Sequence, residues 1–311
     1  MSATTPSETE PREYGLETAA PATHARPIHS PTTSLSDGPE RAGGAVSEPA
    51  LVLKFGGTSV GTPARIRGAA RRVAAHVRSG RRTVVVVSAM GHATDRIVRL
   101  LSGVAAHGRP HPREADRALA TGEDLSAALL ATALTSLGVP ARSLHGGEAG
   151  VRAVGDFRGG RIARVDPTPL AALLDAGVVP VVSGFQAVRD DGETVTLGRG
   201  GSDTSAVALA AALGPAECHI VTDVPAVFDR DPNLDADARR IGEMDHLALV
   251  RLAESGAQVV HAEAARRALA HGVPLRVYGH RAPLSGRGGT VVGTRTERVD
   301  TAPPHAARGA A

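Results

Sequence analysis

The stretch Leu51-Val-Leu-Lys-Phe-Gly-Gly-Thr-Ser-Val60 constrains this chain more than any other. Leu51 to Lys54 reads as a short buried strand. Gly56 and Gly57 permit a tight turn that brings backbone N–H groups close to a partner. Ile66, Ala69, Ala70, Val73, Ala74 and Val77 then recur at helical spacing, so a helix follows. Strand, glycine turn and helix together present amides to an anion. Lys54 is the single lysine among 35 lysines and arginines. Against so strong an arginine bias, a retained lysine marks a place that suits a compact ammonium and not a planar fork. The alternative is chance survival at a strand end.

Residues 1–49 are rich in Pro, Ser, Thr, Glu and Ala and poor in large aliphatics, so they are expected to be a disordered extension. They contain no apolar h-region, and their acidic residues disfavour a transit peptide. The remainder is long enough for one large α/β domain or two small ones. No apolar run has the length of a membrane span. The lone cysteine, Cys218, excludes an intrachain disulfide and fits a reducing cytoplasm. With a net charge of +3, 2% aromatics and dispersed arginines, there is no basic block or stacking platform for nucleic acid.

Further along, Arg82-Thr-Val-Val-Val-Val-Ser88 is a β-branched run, and a strand apolar on both faces belongs in a parallel sheet covered by helices. The loop after it carries Ser88 and Thr94 where ligands bind in open α/β sheets; Thr94 also suits a plain helix N-cap. Helices are expected over residues 95–106 and 113–137. In the second, Glu123 and Asp124 sit beside an apolar run, where a carboxylate either caps a helix start after Gly122 or faces a pocket holding a cation. Strands are expected at 140–145, 161–165 and 177–184, a helix at 168–176, and a hairpin turning at Asp190-Asp-Gly192.

The second strong motif is Leu197-Gly-Arg-Gly-Gly-Ser-Asp-Thr-Ser205, running into an apolar helix. Ser202 or Asp203 is suited to cap that helix, whose free N–H groups again face an anion. Arg199 supplies a fork for a carboxylate or phosphate. A strand at 219–223, a proline-bearing loop over 224–234, helices near 246–254 and 262–271, a strand at 273–277 and an edge strand at 289–293 complete the expectation. No histidine pairs with another His or a Cys at ligand spacing, so no metal site is expected. Two glycine turns, a lysine, an arginine and several hydroxyls suit phosphoryl transfer, which needs positioning and charge neutralisation. An acceptor carboxylate with a pKa of about 4 needs no general base at neutral pH.

Lys54-Phe-Gly-Gly-Thr-Ser-Val60, Ser88-Ala-Met-Gly-His-Ala-Thr-Asp95, Thr121-Gly-Glu123, Leu197-Gly-Arg-Gly-Gly-Ser-Asp-Thr204, Thr222-Asp-Val-Pro225, Asp231-Pro232 and Ser255-Gly-Ala257 together resemble aspartokinase, in that order. The resemblance implies the amino acid kinase fold, a three-layer αβα sandwich with a mostly parallel central sheet, over residues 50–281. It implies transfer of the γ-phosphoryl of Mg-ATP to the β-carboxylate of L-aspartate by a cytoplasmic homodimer. On it, Lys54 with the amides of Gly56 and Gly57 neutralises the migrating phosphoryl, and Asp203 orients the basic groups. Glu123 takes the α-ammonium and Arg199 a carboxylate, while Ser88, Thr94, Phe185 and Ser202 complete that pocket. Thr222, Asp223, Phe228 and Asp231 meet ATP.

There are departures. The family usually has Tyr at Phe228, Gly at Ala226, Arg at Asn233 and Lys at Gln258. A charge-assisted phosphate contact contributes roughly 1.5–3 kcal/mol, so losing both cations weakens nucleotide binding unless Arg230 or Arg239 compensates. Residues 282–311 are expected as a short tail without the ACT domains that bind lysine or threonine, hence without feedback inhibition. Two other readings are a kinase for another carboxylate amino acid and a silent paralogue that binds aspartate or a partner subunit.

Overall fold

The computed structural model describes residues 49–105, 108–230, 235, 237–256, 259–284 and 288–293. Expectations for residues before Pro49, for Asp231, Pro232, Asn233 and Gln258, and for residues after Gly293 fall outside the described residues.

The first half runs β1 (Ala50–Phe55), a 3-10 turn (Gly57–Val60), α1 (Pro63–Arg78), β2 (Thr83–Val87), α2 (Ala93–Val104) and α3 (Pro112–Thr135). Next come β3 (Ala141–Leu144), β4 (Val151–Val154), β5 (Arg161–Val165), α4 (Thr168–Asp175), β6 (Val179–Ser183), β7 (Gln186–Val188) and β8 (Thr194–Thr196). The second half runs α5 (Gly201–Ala212), β9 (Ala216–Thr222), β10 (Val227–Phe228), β11 (Arg240–Ile241) and β12 (Glu243–Asp245). It closes with α6 (His246–Glu254), α7 (Ala262–His271), β13 (Leu275–Gly279) and β14 (Thr290–Gly293).

The main sheet has the order β12-β14-β13-β9-β1-β2-β6-β3. From β13 to β3 every pairing is parallel, and β14 runs antiparallel to β13. The Val runs of β2 and β6 are buried throughout, as a sheet covered on both faces requires. Side chains of β1 alternate: Leu51, Leu53 and Phe55 join one core with α1 and α3, while Ala50 and Val52 join the other with α5 and α7. Lys54 therefore points to the α5 side. Among the described residues no helix is long and apolar enough to cross a membrane.

One expectation is corrected. Thr290–Gly293 is not an edge strand: it pairs with β12 on one side and β13 on the other, so the sheet extends past residue 281. The edge is the three-residue Glu243–Asp245, short and charged, which discourages strand addition. Val151–Val154, for which the sequence offered no expectation, forms β4 between β5 and β7 in a second sheet, with Val151 and Ala153 buried and Arg152 between them.

Helix α1 also buries two side chains that its apolar spacing passes over. Arg72 donates to the carbonyls of Ala282 and Pro283, each at 2.6 Å, and lies 5.3 Å from the centre of the Tyr278 ring. His76 packs edge-on to His219, with ring centres 6.2 Å apart. Burial, aided by the charge of His219, lowers the His76 pKa to about 4. The folded state thus prefers the neutral ring, and that stability is present above about 6.5 and lost as pH falls toward 4. A difference between wild type and His76→Leu in melting temperature, growing across that window to the equivalent of about 2–3 kcal/mol, is expected in a pH series.

Candidate active site

The carboxyl end of β1 delivers Lys54 to the first turn of α5. Its Nζ lies 2.6 Å from Asp203 Oδ1. Lys54 is 9% exposed and Asp203 8%, so the pair sits largely out of water, where the ion pair is strong and each charge depends on the other. The other oxygen, Asp203 Oδ2, accepts from the His261 N–H at 3.4 Å.

Neither Ser202 nor Asp203 caps α5, as the sequence reading expected. Gly200 holds the cap position at φ 69° with no side-chain cap bond. A Cβ on Gly200 would lie 2.1 Å from His261 Cγ, so only glycine lets the loop pass beneath that ring. Ser202 and Asp203 become first-turn residues, whose N–H groups have no intrahelical acceptor.

Glu123 lies inside α3, so it does not cap a helix start. Gly122 is there because a Cβ would meet Ala89 Cβ at 2.9 Å; its absence brings the Ser88–Gly91 loop onto the helix. Glu123 Oε1 accepts from the Ala89 N–H at 3.0 Å, and Oε2 is buried without a partner. Burial raises this carboxyl to about 7, against the lowering effect of the Ala89 bond. A buried carboxylate oxygen without a partner among the described residues suits a cationic ligand.

Nine of the residues read from the sequence, namely Lys54, Gly57, Ser88, Thr94, Glu123, Phe185, Arg199, Ser202 and Asp203, line one cleft of 570 Å³. Thr94 is the second residue of α2, whose cap position belongs to His92, so the plain N-cap reading fails. Phe185 holds φ at +66°; its N–H donates to Ser205 Oγ at 3.2 Å and its carbonyl accepts from Leu197 at 2.8 Å. Arg199 is exposed and enters no ion pair among the described residues.

The lining excludes Gly56, Thr222, Asp223 and Phe228. The Gly56 amide donates to Val221 O at 3.1 Å, so of the two glycine amides only that of Gly57 is left for an anion. Thr222 and Asp223 lie at the carboxyl end of β9, the strand beside β1. Thr222 donates its hydroxyl to Asp223 Oδ1 at 3.1 Å, and its carbonyl accepts from the His280 N–H at 2.7 Å. Phe228 pairs with Arg240 across β10 and β11. Arg230, named above as a replacement cation, is held by Asp235 at 2.6 Å. Sequence reasoning missed Arg158, Thr196 and Asp95 in the cleft; Arg158 sits in a connection with no periodicity, and nothing in the residue string marks it.

These features define an α/β cleft with an ammonium at its floor. The model of the amino acid kinase family matches residues 49–279, and the chain belongs to that family. It is 46% identical over 242 residues to the aspartokinase of Geobacillus stearothermophilus, covering 78% of this chain and 58% of that protein. Among solved structures it is similar to the aspartate kinase from Synechocystis, with TM-score 0.67, 43% identity and coverage of 78% and 40% of the two chains. It is also similar to E. coli aspartokinase III in complex with aspartate and ADP, with TM-score 0.69, 26% identity and coverage of 80% and 65%. The chain thus spans 58% of the length of the Geobacillus relative.

Proposed function

We propose that this chain transfers the γ-phosphoryl of Mg-ATP to the β-carboxylate of L-aspartate, giving 4-phospho-L-aspartate. The observation that carries this reading is one cleft holding both the buried Lys54–Asp203 pair and the unpartnered oxygen of Glu123. Glu123 accepts the α-ammonium and Arg199 grips the carboxylate that does not react. Ser88, Thr94, Phe185 and Ser202 close the acceptor pocket. The reacting carboxylate is already ionised at neutral pH, so it attacks without a base. Lys54, aimed by Asp203, and the Gly57 amide take up charge on the migrating phosphoryl. Thr222, Asp223, Phe228 and Asp231 serve the nucleotide, whose phosphates bring Mg²⁺ with them to neutralise their oxygens. A homodimer in the cytoplasm, with a kinase unit that runs from residue 50 through β14, belongs to the same reading.

The test is hydroxamate formation from ATP, hydroxylamine and an acceptor. Product is expected with L-aspartate and not with N-acetyl-L-aspartate, which has no ammonium for Glu123. Equal product from both acceptors would exclude the proposed role of Glu123; none from either, with aspartate still bound, would leave a binding protein.

A further inference from the structure

Arg158 enters the acceptor cleft from the connection between β4 and β5. It and Phe185 are the non-glycine residues with positive φ among the described residues, both at +66°, and both line this cleft. Glycine adopts that conformation freely, whereas an L side chain is held there against its local preference. The holding group is Asp116. Its Oδ2 accepts from the Arg158 N–H at 2.8 Å and from the Thr196 N–H at 2.9 Å, and its Oδ1 accepts from the Thr196 hydroxyl at 2.8 Å. Asp116 is fully buried. It precedes Glu123 by two turns on the same face of α3. One helix thus fixes the Arg158 backbone and offers the carboxylate proposed for the ammonium.

The Arg158 side chain is exposed at the cleft and enters no ion pair among the described residues. Lys54 is taken by Asp203 at the floor. Thr222 and Asp223 do not belong to this lining, so Arg158 stands on the acceptor side. We infer that Arg158 is a second guanidinium, beside Arg199, for the non-reacting carboxylate of the acceptor. The inference rests on aspartate as occupant of the cleft.

Arg158→Gly separates side chain from backbone, because it removes the guanidinium and relieves the positive φ together. Calorimetric titration of the full chain with L-aspartate is expected to show binding weaker by about tenfold, the size of one lost charge-assisted contact, with a melting temperature no lower than wild type. Arg158→Ala should lose the same affinity and melt below the glycine variant, since it keeps the Cβ at positive φ, and Arg158→Lys should recover part of the affinity. A purely structural role would move the melting temperature and leave affinity alone. Affinity of the glycine variant within about twofold of wild type, well under one such contact, overturns the inference, as does a wild-type chain that does not bind aspartate. Weakened binding in the variants from a wild type that forms no hydroxamate would sink the kinase reading and leave Arg158 in place. Hydroxamate formation with unchanged affinity in Arg158→Gly would do the reverse.

Discussion

Lys54→Met is expected to lower kcat for hydroxamate formation from aspartate by about 10³-fold, the scale of losing one charge aimed at a transferring phosphoryl group. The loss has a second component, since the substitution strands the Asp203 carboxylate without its partner at 2.6 Å. Breaking a buried pair in this way costs about 3–5 kcal/mol, so the single variant should also melt well below wild type. The double variant Lys54→Met/Asp203→Asn distinguishes the two. It removes both charges, and its melting temperature should recover toward wild type while turnover stays at the level of the single variant. Lys54→Arg should not rescue turnover, because the planar fork cannot repeat a point contact to one carboxylate oxygen in a buried site. A single variant retaining a tenth of wild-type kcat would remove Lys54 from the chemistry.

The direction of Lys54 is legible before any coordinates: alternation along a strand whose other face is Leu51, Leu53 and Phe55 leaves it on the opposite side. Its partner is less so. Asp203 read as a helix cap because Ser, Asp and Thr follow two glycines. That reading fails because Gly200, forced beneath His261, takes the cap position itself. The parallel core was visible in the Val runs of β2 and β6, since burial on both faces leaves no polar period to read. Pairing over long sequence distances was not, which is why Thr290–Gly293 looked like an edge and lies inside the sheet. Charged residues that fold inward are the hardest class. Nothing in the residue string marks Arg72, Asp116 or His76 for burial, and each is buried because backbone groups or rings distant in sequence receive it. Arg158 has no sequence signal at all, because its place depends on one of those hidden carboxylates.

Glu123 should make aspartate recognition sensitive to mild acid. Burial holds its carboxyl near 7 in the unliganded protein, and only the ionised form attracts an ammonium. The carboxylates and ammonium of aspartate do not titrate between about 5 and 7. Below about 7, KM for aspartate should therefore rise toward tenfold per pH unit, while kcat at saturating aspartate changes less. Stability runs the other way. The folded carboxyl keeps its proton between 4.5 and about 7, where the unfolded one has lost it, so the unliganded chain loses stability as pH rises through that window. Glu123→Gln removes this cost and should raise stability at pH above 7 by on the order of 3 kcal/mol. The same variant gives up a charge-assisted contact to the ammonium, so its KM for aspartate should rise about 10–100-fold and lose its acid dependence. More stability with poorer, pH-flat binding is the signature of a carboxylate kept buried for its ligand; a variant that gains stability with unchanged KM would show that the ammonium is held elsewhere.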